Sequence, residues 1–205
     1  MRTLAVVLCA QMLMLLCACG AAPEEEKESL LERYQTAQQL SMEAQVRFGS
    51  AEQVEEYTLR CDWYADGSAE IEVIEPEDIA GLKASVDGED LTLIYEDMVL
   101  PAGELSSEEI SPAMALPVLM RSVREGWLLE ESREDWGEVP CVRLSWDLTG
   151  ENGGKVLSAL WIRKDDGTPV HGEITVDEEI ILQVEFTDFT FGATIGQELT
   201  EGASS

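Results

Sequence analysis

The chain has 205 residues, of which 42 are acidic and 13 basic, giving a formal charge of −29 and a pI of about 4.1. Nucleic acid is excluded as a partner, because proteins bind it by neutralising phosphates with Lys and Arg, and anionic lipid headgroups would repel the body of the protein. The length suits one domain burying roughly 70% of its unfolded surface, and the acidity either keeps the protein soluble or favours a basic protein partner.

Arg2 opens an apolar run from Leu4 to Leu16, the length of a secretory signal core and short of the roughly 20 residues of a bilayer span. Leu16, Cys17, Ala18, Cys19 and Gly20 follow, a run that resembles a bacterial lipobox, with Cys17 an unusual occupant of its position. The resemblance implies a signal peptide over residues 1–18, a diacylglyceryl group on Cys19, and a protein held in the cell membrane facing the extracytoplasmic side. The alternative is an ordinary signal peptide with a coincidental cysteine. Two acyl chains suffice for stable anchoring at about 0.8 kcal/mol per buried methylene. Cleavage takes Arg2 away, so the charge of −29 becomes −30. Residues 19–28, acidic and carrying Pro23, are expected to form a tether of at most about 30 Å.

A domain is expected over residues 29–195. Leu30, Leu31, Tyr34, Ala37 and Leu40 recur at helical spacing and predict one amphipathic helix. The period then becomes two through Met42, Ala44, Val46 and Phe48, and again through Tyr57, Leu59, Cys61 and Trp63. Asp66-Gly67 and Asp87-Gly88 turn the chain between further alternating runs, so an antiparallel meander is expected up to Leu100 and Pro101. Ser111 and Pro112 then open a helical insertion, predicted as a short turn over 112–116 and a helix over 117–125 closed by Gly126. Its stripe is Val118, Leu119, Ser122 and Val123, with Arg121 and Arg124 outside.

Strands are predicted again over 127–131, 139–148 and 156–163, with Glu134-Asp135 in a connection and Asp166-Gly167 in a tight turn. Two last strands follow, Val170 to Val176 and Ile180 to Phe186. Phe189 and Phe191 have the opposite parity, which predicts a bulge near Thr187 and Asp188. Residues 196–205 are expected to be a mobile tail.

Five cysteines reduce to Cys61 and Cys141 once Cys9 and Cys17 leave and Cys19 takes lipid, and an exported protein permits a disulfide between them. Alternation opposes it: Cys61 shares a face with Leu59 and Trp63, whereas Cys141 opposes Val142, Leu144 and Trp146. Two isolated thiols are the default and the bridge remains the alternative. His171 alternates with Glu173 and Thr175, which predicts an exposed strand residue. No nucleophile–base motif, calcium-loop spacing or cofactor motif accompanies it, so no catalytic residue, metal or cofactor is assigned. Trp63 and Trp146 belong to apolar faces, while Trp127, Trp136 and Trp161 adjoin turns or polar residues.

The resulting fold class is mainly β with α, a strongly curved antiparallel sheet forming an incomplete barrel with helices on its concave face. With the lipid anchor and the Asp166, Gly167, Thr168, Pro169 hairpin, this order over residues 30–191 resembles the LolA/LolB-like lipoprotein fold family. Residues 95–101 and Ile110, Ser111 and Pro112 are similar to lipoproteins of spore-forming bacteria related to the germination lipoprotein GerS. The resemblance implies a non-enzymatic envelope protein in one of two roles. One is binding a lipid or acyl chain in the apolar hollow; the other is a protein-binding scaffold that supports a cell-wall or spore-cortex enzyme. For the first, parity and stripe nominate Met114, Leu119, Val123, Trp146, Val184 and Phe186 as lining residues, which would equally serve an ordinary core.

Overall fold

The structure, a computed structural model, describes residues 23–50, 53–88, 90–95, 98–104, 111–149 and 155–192, with the side chains of 23–29, 50 and 100–104 excepted. The lipobox, the cleavage position, Cys19 and the expected tail lie outside the described residues.

Eleven strands form one antiparallel sheet: β1 Gln39–Ser50, β2 Gln53–Tyr64, β3 Ala69–Glu75, β4 Lys83–Asp87, β5 Asp90–Tyr95, β6 Met98–Glu104, β7 Trp127–Trp136, β8 Val139–Asp147, β9 Val156–Arg163, β10 Pro169–Val176 and β11 Glu179–Phe191. The spatial order is β6-β5-β4-β3-β2-β1-β11-β10-β9-β8-β7, so the first and last strands meet in the middle and β6 and β7 are the two edges. Helix α1 spans Pro23–Thr36 and α2 spans Ala115–Glu125, preceded by a 3₁₀ turn at Pro112–Met114.

Helix α2 reaches strands that a flat sheet would keep apart. Its Arg124 guanidinium lies 5.3 Å from the Trp63 ring of β2, and its Ser122 hydroxyl is 2.9 Å from that of Ser158 in β9. These strands are four places apart, about 19 Å in an uncurved sheet at ~4.8 Å per strand. A helix only about 10–12 Å across touches both because the sheet curls around it. The alternating residues Leu40, Met42, Ala44, Val46, Leu59, Cys61, Trp63, Leu182 and Val184 form its concave side and are all buried.

The bulge expected near Thr187 is present. Glu43 opposes Asp188 and Ala44 opposes Phe186, so Thr187 is left over and its Oγ1 donates to the Glu43 carbonyl at 3.0 Å. That extra residue turns Phe189 and Phe191 onto the same side as Val184.

Five boundaries differ from expectation. Helix α2 starts at Ala115 rather than at 117, because Pro117 is tolerated in a first helical turn. Helix α1 starts at Pro23, in the expected tether, because proline suits a first helical turn. It ends at Thr36, and Leu40 belongs to β1: three residues after Ala37 and two before Met42, it satisfies both periods, and pairing with Trp63 and Phe191 decides for the strand. Strand β7 continues through Glu134 and Asp135 to Trp136, and the turn comes at Gly137, whose φ of 61° favours glycine. Strand β6 carries Pro101 through to Glu104, which an edge tolerates since one side of the strand needs no donor.

Helix α1 is clasped to the β9–β10 hairpin. Tyr34 donates its buried hydroxyl to the Gly167 carbonyl at 2.9 Å, and Arg33 donates to the Asp166 carbonyl. Gly167 has φ 72°, which favours glycine, and a Cβ there would crowd Leu30 at 3.1 Å and the Arg33 guanidinium at 3.3 Å. Asp166 shapes the turn by accepting from the Thr168 amide at 2.8 Å and its hydroxyl at 2.7 Å. Asp66 does the same with Ser68, and Asp147 accepts from the Thr149 amide.

The Ser68 and Thr149 hydrogen bonds hold Asp66 and Asp147 below the ordinary carboxyl range. At Asp166 burial acts upward but is outweighed by Thr168 and by Arg163 and Arg33. A carboxyl lowered in the folded state stabilises above its unfolded value, about 3.9 for Asp, and loses that contribution as pH falls through the folded value. Replacing all three by Asn, which still accepts a hydrogen bond, is expected to flatten the loss of stability below about pH 4. Urea melts from pH 6 downward check this, and an unchanged acid limb would mean the turns carry no linkage.

Candidate functional site

The concave face is occupied by the protein's own helices. Of the six residues nominated to line a hollow, Met114, Leu119, Val123, Trp146 and Val184 are buried in one cluster with Tyr34, Leu116, Met120, Leu144, Leu160 and Ile174, and Phe186 packs against its margin. Leu119 and Val184 are 0% exposed, so no void wide enough for a water molecule, and none fit for an acyl chain, borders them. Glycine marks two close approaches. A Cβ at Gly172 would lie 2.6 Å from Leu119 Cδ1, and one at Gly126 2.8 Å from Trp146 Cδ1. Gly126, expected to close the helix, has φ −70°, so its smallness serves the close approach of the Ser122 carbonyl oxygen and of Trp146 rather than a left-handed turn. Arg124, expected outside, turns inward, donating to the Ala37 carbonyl at 3.3 Å and lying over Trp63.

Both cysteines are free thiols, and they lie on opposite sides of the sheet. Cys61 is in the main core, while Cys141 belongs to a second buried cluster with Ala159, Trp161 and Val170. Burial, and then the neighbouring Asp62, pushes the Cys61 thiol far up; burial likewise raises Cys141. Thiolate is the reactive form, so neither cysteine should react with iodoacetamide in the native protein at pH 8, and both should react in 6 M guanidinium. Peptide mass mapping reads this directly, and a Cys61–Cys141 crosslinked peptide would contradict it.

The second cluster is on the convex face, and it corrects the expectation for His171. The parity shared with Glu173 holds, but the ring is 1% exposed. Trp136 stacks on it at 3.8 Å between centroids and 9° between planes, and Trp161 lies 4.9 Å away. Glu185 Oε1 is 2.8 Å from Nδ1 and Glu173 Oε1 is 3.1 Å from Nε2. Both nitrogens thus face carboxylate oxygens. The arrangement holds the end of β7 over β9 and β10, and among the described residues no group of three or more His, Cys, Asp or Glu could hold a metal. Parity puts His171 with Glu173, but Trp161 beside it and the lid, Trp136, require knowing that β9 pairs with β10 and β7 with β8.

Two further surfaces remain. A recess of about 920 Å³ lies on the convex face between β1, β2, β11 and the Glu75–Pro76 corner, with Arg47, Glu56, Tyr57, Thr58 and Glu185 in its wall. Arg47 is paired with Glu56 at 3.1 Å in that wall. At the other end of the sheet, edge strand β7 exposes Trp127 (80%) and Leu129 (51%). Leu129 is at a register shift between Leu128 and Glu130.

No family model matches the sequence, and no curated protein matches it. The chain is similar to solved LolA-like lipoprotein structures. A LolA superfamily protein from Nitrosomonas europaea is 14% identical over 81% of this chain and 93% of its own, with a TM-score of 0.43. The lipoprotein LppX of Mycobacterium tuberculosis is 12% identical over 83% and 96%, at 0.45. A complex of the CwlD amidase with the GerS lipoprotein from Clostridioides difficile matches at 16% identity over 85% and 98%, at 0.40. The likeness named from the sequence recurs in these structures, and at such scores it assigns neither ligand nor partner to this chain.

Proposed function

We propose that this chain is a lipid-anchored, non-catalytic envelope scaffold that presents the convex face and edges of its sheet to a protein partner. The observation that supports this reading is the filled concave face, where Leu119 and Val184 have no exposed surface. A lipid carrier, the other role implied by the sequence, needs a void beside those side chains. Lipid on Cys19 would leave only residues 20–22 before helix α1 begins at Pro23, a span of about 10 Å. The body would therefore stand close to the bilayer and meet its partner from the wall side. The test is native mass spectrometry of the protein purified from its own membranes. The expected mass is that of the diacylated chain alone; a stoichiometric additional lipid would overturn the scaffold in favour of the carrier.

A further inference from the structure

We propose that the outer edge of β7 receives an extended segment of a basic partner protein as a twelfth strand of the sheet; the inference rests on the scaffold reading and names the surface it would use. A sheet edge offers a row of N–H and C=O groups that another chain can complete. Among the described residues no strand pairs with β7 on that side. The opposite edge, β6, is interrupted as a donor row by Pro101, whereas β7 runs ten residues without proline or glycine.

The side chains of β7 select the occupant. Trp127 and Leu129 are the exposed large apolar residues of this strand, and an exposed tryptophan beside an open edge is the residue type that anchors interfaces. Beyond them come Glu130, Glu131, Glu134 and Asp135 against a single Arg133. Glu130 and Glu134 share one face with Arg143 of β8, at 3.3 and 4.0 Å. A second copy would bring the same carboxylates face to face on two bodies of formal charge −29. Residues 193–205 of this chain contain Glu198 and Glu201 and no Lys or Arg, so they are no better matched. A strand with Lys or Arg at alternate positions and an apolar end over Trp127 meets both the charge and the apolar surface.

The test uses the membrane-purified protein in detergent and a ten-residue peptide alternating Lys and Val. A control peptide of identical charge carries N-methyl groups on every residue, so neither of its edges can donate to the ladder. Hydrogen-exchange mass spectrometry at 50 mM salt is expected to show at least tenfold slower exchange over 127–136 with the first peptide and none with the second. Trp127→Ala with Leu129→Ala, both at exposed positions, is expected to weaken the peptide about tenfold. Equal binding of the two peptides, protection centred elsewhere, or an edge already protected until dilution or removal of residues 193–205 would each overturn the proposal. If the peptide fails while native mass spectrometry finds a lipid-free chain, only the edge assignment falls; a co-purifying lipid removes the scaffold itself.

Discussion

Gly172→Ala is expected to destabilise the protein by about 1–3 kcal/mol, the usual cost of forcing a methyl into a packed core. The added Cβ would stand 2.6 Å from Leu119 Cδ1 and 3.3 Å from Leu160 Cδ1. A leucine tip can move aside when there is room, but Leu119 and Leu160 are 0% exposed. Leu119→Ala alone is expected to cost about 2–5 kcal/mol through lost burial and the remaining cavity. In the double variant the new methyl occupies part of that cavity, so the combined cost should fall short of the sum by about 1 kcal/mol or more. Urea unfolding of the four proteins measures the cycle. A neutral Gly172→Ala would mean that Leu119 has space to withdraw, which is the behaviour of an open hollow and would count against the scaffold.

The second large effect is at Tyr34. Its ring lies 5.0 Å from that of Phe191 and 5.9 Å from that of Phe189, and its hydroxyl reaches the Gly167 carbonyl. Burial pushes the phenol well above its ordinary range, in keeping with a neutral donor in the core. Tyr34→Ala is expected to cost about 3–5 kcal/mol, like other large aromatic truncations. Tyr34→Phe keeps the ring and leaves the carbonyl unpaired, so about 1–2 kcal/mol is expected. Measured unfolding energies that put Tyr34→Ala below 1 kcal/mol would make α1 an accessory laid on a finished core. The expected values make it a structural member that ties the chain's start to the hairpin at 166–169.

Residues with a single periodic solution were legible from the sequence. Met42 to Val46 and Leu59 to Trp63 alternate without ambiguity, and their faces came out as expected. The parity break after Phe186 located the bulge, because one extra residue is the simplest way to return Phe189 and Phe191 to the concave side. Alternation also put Cys61 and Cys141 on opposite faces, and the structure holds them in separate clusters. Leu40 was misplaced because it fits a helix and a strand equally, and only its partners across the sheet chose between them.

The sequence by itself determined which residues turn to each side of the sheet, since side-chain direction in a strand follows from local backbone geometry. It did not determine what covers the convex side, nor how tightly the concave side is filled. His171 has the parity of an exposed residue, yet it is buried because Trp136, 35 positions earlier, is carried over it through the pairing of β7, β8, β9 and β10. The apolar concave face and the helices lying on it were equally legible, while how completely they fill it was decided only by the curl that brings β2 and β9 to the same helix. Periodicity is set within a few residues of chain; the covering of a face depends on elements distant in sequence, and that is where the choice between a lipid hollow and a filled scaffold lay.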